Sequence, residues 1–345
     1  MKSISHSNYV RGVMSVTNIN DVVRLSGVSK STVSRVINNY PYVAADKRER
    51  VLKVMKEIGY IPNKSAQKLR GQLTTTIGVI VPRIVNPFFS YLVEAIEKEG
   101  YKRGYQTIIF QSNEDSEREL DFLNLLKRKQ VDGVIMTSCE NSWSTISGYL
   151  DYGPIVMCNE YFEDLIVPMV RVDQLTASYD GMKHLIERGH RKIAYCTGGL
   201  FNEVGKDKDR NLGYNKALIE AGIEINPNWI IIKCHTIDDG RKVLHQIMDM
   251  KDRPTAVFTG SDEVAAGIIM EAKKQGVNIP EELAVIGFDD QPLAQLLTPE
   301  LTTIKQPVSE MGYRAMDLLI KSLSGTEIEN KNYTLQHELV IRKTT

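Results

Sequence analysis

The 345-residue chain has only four cysteines, Cys139, Cys158, Cys196 and Cys234, far apart and with no C-x-x-C pair. That spacing excludes a disulfide framework and a thiolate metal cage, and the thiols read as small reduced hydrophobes of a cytoplasmic protein. No run of 18 uncharged apolar residues occurs, and the first fifteen residues lack the apolar stretch of a secretory signal. Neither a membrane span nor export is therefore expected. No G-x-G-x-x-G occurs, and the nearest approach to a phosphate loop, Gly199 to Gly205-Lys206, has five intervening residues and is followed by Asp207. A P-loop needs four and then Ser or Thr. The scattered histidines show no metal-ligand spacing. No metal, cofactor or catalytic residue is expected, and the chain does not read as an enzyme.

What is present suits a soluble protein of two or three domains, with 42% hydrophobic and 25% charged residues. The net charge of zero hides a segregation. Residues 1–75 carry 13 Lys and Arg against 4 Asp and Glu, and the remainder carries 30 against 39. A basic head on an acidic body suggests a polyanion as partner of the head.

Three short helices are expected between Asn18 and Gly59. Asn18 can cap the first, with Asp21 placed to complete a capping box, and Ile19, Val22, Val23 and Leu25 form its apolar side. Ser26-Gly27 ends it, and Ser29 caps a second helix over 30–37 with Val28, Val33 and Val36 or Ile37 inward. Lys30, Ser31, Thr32, Ser34, Arg35 and Asn38 are left on its outer side. The third helix, 46–58, buries Val51, Leu52, Met55 and Ile58. Two short helices across a tight turn, the second displaying hydroxyls and an arginine, make a helix-turn-helix. Hydroxyls allow close approach to phosphates, and Arg35 can reach a guanine edge with two hydrogen bonds. Beyond Tyr60-Ile61-Pro62, Asn63 can cap a helix over 64–70, which is too short to be stable without a partner surface.

The run Asn18-Ile-Asn-Asp-Val-Val-Arg-Leu-Ser-Gly-Val-Ser-Lys-Ser-Thr-Val-Ser-Arg-Val-Ile-Asn, followed by Gly59-Tyr-Ile-Pro-Asn-Lys-Ser-Ala-Gln-Lys-Leu, resembles the lac/galactose repressor family. The likeness extends over nearly the whole chain and runs near the catabolite control protein subgroup. It implies that Lys30, Ser31 and Arg35 read bases, that Ser29, Thr32, Ser34 and Asn38 hold phosphates, and that Asn18, Asn63 and Ala66 complete the DNA contacts. The hinge helix would pair with its dimer mate in the minor groove of a palindromic operator, with Leu69 as the kinking wedge. Ala44 stands where the family often has a serine cap. Residues 1–13 precede the usual family start, and Met14 sits where a member would begin.

From residue 76 strands and helices alternate: strands at 76–82, 106–111, 133–137, 154–158, 192–197, 230–233, 256–259 and 283–288. Helices are expected at 87–104, 116–129, 142–152, 176–189, 208–221, 238–250, 263–275 and 308–324. Two βα series imply two doubly wound parallel sheets, with ligand at the C-terminal strand ends. The fold class is thus an all-α helix-turn-helix domain with a hinge helix, joined to an α/β sensor. The resemblance makes the sensor periplasmic-binding-protein-like. The boundaries are a tail over 1–15, the DNA-binding domain over 16–62, hinge and linker over 63–75, and the sensor over 76–345. Lobe 1 would hold 76–173 and 304–333, and lobe 2 174–303 and 334–345.

Loop position places Asp289, Ser261 and Asp262 at strand ends, where carboxylates accept ligand hydroxyls. Arg210 begins a helix, and its fork can bridge hydroxyls or carboxylates. The resemblance makes Asp289 and Arg210 the central effector contacts and adds Phe88, from Asn86-Pro-Phe-Phe, as a stacking ring. Asn159 replaces a common aspartate, and His235 falls where sugar and purine sensors place an aromatic. The expected partners are duplex DNA, a sugar or sugar derivative, and a second copy of the chain, with no membrane. A phosphorylated carrier protein is the alternative controller, although Asp317 stands where carrier-binding relatives have arginine and would repel a phosphoryl group. A transported-solute binding protein is a distant alternative, opposed by the basic head.

Overall fold

The computed structural model describes residues 17–38, 40–60, 74–161, 167–199, 201 and 208–345. The chain divides into two compact units, the first ending at Leu73. In the first, α1 (Ile19–Ser26) starts with both halves of the capping box: Asn18 Oδ1 accepts from the Asn20 amide at 2.9 Å, and Asp21 accepts from the Asn18 amide at 3.0 Å. Gly27 ends it at φ +65°, a left-handed turn that costs glycine little. The Ser29 hydroxyl caps α2 (Lys30–Ile37), accepting from the Thr32 amide at 3.3 Å. Ala44 gives α3 (Ala45–Glu57) no side-chain cap, which leaves Asp46 to face the helix dipole.

Six valines, Val22, Val28, Val33, Val36, Val51 and Val54, form the core of this unit. Leu25 and Leu52 were expected inside but are each 49% exposed, while Met55 and Ile58 are only partly buried. Val22 with Ser26, and Val51 with Val54, set the inward faces of α1 and α3, and each leucine sits one residue off that row. The expected tail over 1–15 and the hinge helix with Asn63, Ala66 and Leu69 lie outside the described residues.

The second unit begins with β1 (Thr76–Val81), α4 (Pro87–Lys102), β2 (Gln106–Gln111), α5 (Ser116–Lys127) and β3 (Gly133–Met136). Next come α6 (Trp143–Ser147), a 3-10 turn (Leu150–Tyr152), β4 (Ile155–Cys158) and β5 (Met169–Val172). The expected helix over 142–152 is thus two pieces, parted at Gly148, the C-cap of α6. Then follow α7 (Gln174–Glu187), β6 (Ile193–Cys196), α8 (Lys208–Glu220), β7 (Ile230–Ile231), α9 (Ile237–Asp249), β8 (Ala256–Thr259), α10 (Asp262–Gln275) and β9 (Ala284–Asp289). The unit closes with α11 (Leu293–Leu296), β10 (Thr302–Lys305), α12 (Val308–Ser324), β11 (Asn332–Leu335) and β12 (Glu338–Val340).

Two six-stranded sheets result, ordered β11-β5-β4-β3-β1-β2 and β12-β10-β9-β8-β6-β7. Their pairings are parallel except at the β12–β10 edge. The central strands β1 and β9 are buried at every position, as sheets covered on both faces require. Although late in the chain, α12 packs on the first sheet beside α4, through Met311, Ala315, Met316 and Leu319 against Leu92 and Ile96. The chain changes lobes at Asp173, at Gln306-Pro307 and between β11 and β12. The second and third crossings fall about three residues beyond the expected 303 and 333, because β10 belongs to the second sheet and β11 to the first. None of the four cysteines is in a disulfide.

Candidate functional site

The outer face of α2 is a polar platform. Lys30, Ser31 and Arg35 are exposed, Thr32, Ser34 and Asn38 half-buried. At its amino end Ser29 Oγ lies 3.0 Å from Ser31 Oγ and 2.9 Å from Thr32 Oγ1, a hydroxyl cluster where the helix favours phosphate. Asn38 donates to Ser34 Oγ at 3.4 Å. Asn18 is exposed, with its side chain engaged as the α1 cap. Sequence reasoning missed Tyr40 and Tyr42, 52% and 87% exposed and packed edge to face at 6.2 Å between α2 and α3. Two aromatics around Pro41 in a polar loop were the available signal.

Between the lobes lies a cavity of about 440 Å³ at the C-terminal strand ends, lined by Phe88, Asn159, Arg210, His235, Ser261 and Asp289 among others. Asp289 ends β9 at φ +106°, with Asp290 at +52°, two consecutive aspartates in left-handed backbone. Burial pushes the Asp289 carboxyl up to about 6, against the opposing pull of Arg210 and of its hydrogen bonds. A polar chain joins it to Arg210. Arg210 Nε donates to Gln174 Oε1 at 2.8 Å, Gln174 Nε2 to Gln306 Oε1 at 2.9 Å, and Gln306 Nε2 to Asp289 Oδ1 at 2.7 Å. Gln291 Nε2 reaches Asp289 Oδ2 at 3.3 Å. The Arg210 guanidinium also donates to the Gly260 carbonyl at 2.9 Å and lies 3.8 Å from the Phe288 ring centre. Gln174 and Gln306 each flank a lobe crossing. Their place in the site follows only from the tertiary path, so sequence reasoning did not find them.

Asp262 does not line the cleft, which corrects its assignment to the effector set. It is fully buried, taking the Thr303 hydroxyl at 2.5 Å and the Gln291 amide at 2.6 Å. Burial and the negative charge of Asp289 drive its pKa well above the carboxylate range. Its work is to pin the loop that follows Asp289. Ser261 lines the cleft while its hydroxyl caps α10, accepting from the Val264 amide at 3.4 Å. The His235 ring lies against Gly198, where a Cβ would come within 2.6 Å of it. Phe88 is only 5% exposed and packs edge to face with the more accessible Phe89 at 5.1 Å.

On the first-lobe wall Asn159 follows β4 at φ +80° and donates to the Thr137 carbonyl at 3.4 Å. Tyr161 reaches across the cleft: its hydroxyl lies 3.0 and 2.9 Å from the two Asp209 oxygens. Arg171 stacks on Tyr161 at 4.0 Å and approaches Asp209 at 3.5 Å, closing an interlobe cluster. Away from the cleft, Asp317 on α12 is bound by Arg103 at 2.9 Å and Lys321 at 2.8 Å.

Comparison with known proteins gives this geometry its context. Residues 18–63 match the model described as bacterial regulatory proteins, lacI family, and residues 74–343 match periplasmic binding proteins and sugar binding domain of LacI family. The chain belongs to the lacI family of bacterial regulatory proteins. It is 44% identical over 328 residues to the NTD biosynthesis operon regulator NtdR of Bacillus subtilis, covering 95% of this chain and 99% of NtdR. Identity to catabolite control protein A of Priestia megaterium is 34%, over 96% of this chain and 100% of that protein. A LacI-family regulator of Lactobacillus casei with bound sucrose superposes with a TM-score of 0.74 at 33% identity, over 78% of this chain and 99% of its own. The lac repressor dimer bound to operator gives 0.83 at 26%, over 95% and 98%. This lacI-family chain is a DNA-binding transcription regulator with a periplasmic-binding-protein-like sensor. Among the described residues no helix is long and apolar enough to cross a membrane.

Proposed function

We propose that the protein is a cytoplasmic, non-catalytic repressor of carbohydrate or related metabolic genes, binding a palindromic operator as a dimer and controlled by a hydroxylated effector in the interlobe cleft. The observation that carries this is the convergence of Asp289 and Arg210, linked through Gln306 and Gln174, on a cavity of about 440 Å³. That volume lies within the range of small-ligand pockets. The effector would take its hydroxyl contacts from Asp289, Arg210 and Asn159, with Phe89 and His235 beside its apolar face. Exposed Ile108 and Ile109 on the edge strand β2, with Met270 and Leu296 on the second lobe, support a second copy as partner. The ion pairs that Asp317 makes with Arg103 and Lys321 speak against a phosphorylated carrier at α12. The mechanism is linkage: ligand changes the angle between lobes, and hence the spacing of two hinge helices that order only together on DNA. A coupling of about 1–3 kcal/mol suffices.

Fluorescence anisotropy with palindromes from the protein's own genome tests the reading, with scrambled duplex as control. Specific binding at low salt is expected, and binding no tighter than to scrambled DNA refutes it. Arg35→Ala should relax the preference at one base pair of each half-site, at a cost of about 1–3 kcal/mol; an unchanged base profile removes Arg35 from the readers. Leu69→Ala should weaken specific binding much more than non-specific binding, whereas equal losses reject the wedge.

A further inference from the structure

Among the described residues, one cation of the cleft has no ion-pair partner. Arg83 follows β1 and lines the cavity, yet its side chain makes no hydrogen bond or ion pair among the described residues, and its Nε is closed off from solvent. Ser138 lines the same cavity, is 2% exposed, and its hydroxyl has no hydrogen-bond partner among the described residues. Strands β1 and β3 pair with Ile80 opposite Met136, so both residues stand just beyond the ends of adjacent strands. The amino end of α4, with Asn86 and Phe89 at the cavity, adds its positive dipole to this wall.

Among the described residues, the carboxylates of the cleft do not answer Arg83. Asp209 is held by Tyr161 and Arg171, and Asp289 by Gln306 and Gln291. Glu114 is exposed and Glu160 half-buried, and neither forms an ion pair with Arg83. Glu263, at the start of α10 on the other lobe, feels the Arg83 charge without pairing to it. A partly desolvated guanidinium is donor-only and permanently charged. A hydroxyl can satisfy one of its N–H groups but leaves the charge uncompensated, whereas an anion gives short, charge-assisted and often bidentate bonds.

We propose that Arg83 and Ser138 form an anion subsite on the first-lobe wall, so that the effector is a polyol carrying a carboxylate or a phosphate. This rests on the effector reading of the cleft: hydroxyls would be read by Asp289 and Arg210 on one wall, the anion by Arg83 and Ser138 on the other.

The first test uses inorganic phosphate against chloride at constant ionic strength, with the full-length protein and Arg83→Gln compared by thermal shift. Both proteins carry the same basic head, so the difference between them reads the cleft. Phosphate should raise the midpoint of the parent and have at most half that effect on R83Q and on Ser138→Ala; equal shifts in all three overturn the proposal. Circular dichroism of the unliganded variants confirms folding. The second arm is calorimetry with glucose, glucuronate and glucose 6-phosphate. Either charged sugar should bind the parent at least tenfold tighter than glucose, with the ratio falling towards one in R83Q, and the stronger of the two identifies the anion. Glucose binding as tightly as both overturns the proposal. Phosphate protection with no sugar binding upholds the anion subsite and removes the polyol half of the effector reading.

Discussion

The two walls of the cleft are built alike and equipped differently. Each carries a non-glycine residue with positive φ at a strand end, Asn159 after β4 and Asp289 closing β9. On the second wall Arg210 and Asp289 are already bound, in a directed chain from the donor-only guanidinium through the Gln174 and Gln306 amides to the carboxylate. On the first wall Arg83 Nε and Ser138 Oγ are buried and without a hydrogen-bond partner among the described residues. One wall is preorganised and keeps its geometry without ligand; the other recovers its desolvation cost only when a ligand arrives. That asymmetry suits a switch, because the free energy of occupancy is concentrated where it can draw one lobe towards the other.

The sharpest way to break this comparison is Asp289→Asn. Losing the charge that accepts ligand hydroxyls should weaken effector binding about 100-fold, in line with about 3 kcal/mol for hydrogen bonds to a charged group, measured by calorimetry. The same variant should be more stable than the parent at pH 8. A carboxyl raised from 3.8 to about 6 adds stability below its unfolded value and loses it as pH rises through about 6. The advantage of the variant should therefore grow between those pH values and level off above them, at up to about 3 kcal/mol. A flat difference across that range in thermal or urea denaturation contradicts the burial argument. Next in size, Gln306→Leu cuts the chain at its middle. It leaves Asp289 Oδ1 and the Gln174 amide without their partner, at about 1–3 kcal/mol of stability and about tenfold in ligand affinity. Full affinity in that variant means that the second wall is not held by the glutamines. Smallest, Tyr161→Phe removes one hydroxyl from the interlobe cluster. It should cost about 0.5–1.5 kcal/mol or less of closed-state preference, read as a modest increase in radius of gyration by small-angle scattering without ligand; an unchanged profile removes the cluster as a closing contact.

Local chemistry made much of this molecule legible in its sequence. The second helix could be bounded at Lys30–Ile37 because the Ser29 cap agrees with the apolar period, and the last at Val308–Ser324 because Pro307 at its start and Gly325 at its end agree with it. The strands β5, β10, β11 and β12 were not foreseen: each has only three or four residues, and β11 and β12 are sheet edges with mixed exposure. That omission misplaced two lobe crossings, and it also explains the reading of Asp262. Ser261-Asp262 follows a strand just as a ligand loop does, and only the presence of Thr303 on β10 turns the carboxylate inward. Gln174 and Gln306 touch although 132 positions separate them, a pairing no motif announces. Arg83 and Ser138 are conspicuous only once their neighbours are known to be engaged elsewhere.

The central claim is that occupancy of the cleft changes the affinity of the basic head for DNA. The most direct measurement is one anisotropy titration of a labelled palindrome, using the parent and Asp289→Asn, each with and without a cleft ligand found by thermal shift. The account predicts at least a fivefold ligand-dependent change in operator affinity for the parent, about 1 kcal/mol of coupling, and none for the variant. Operator affinity that ignores a ligand bound in the parent's cleft would contradict it.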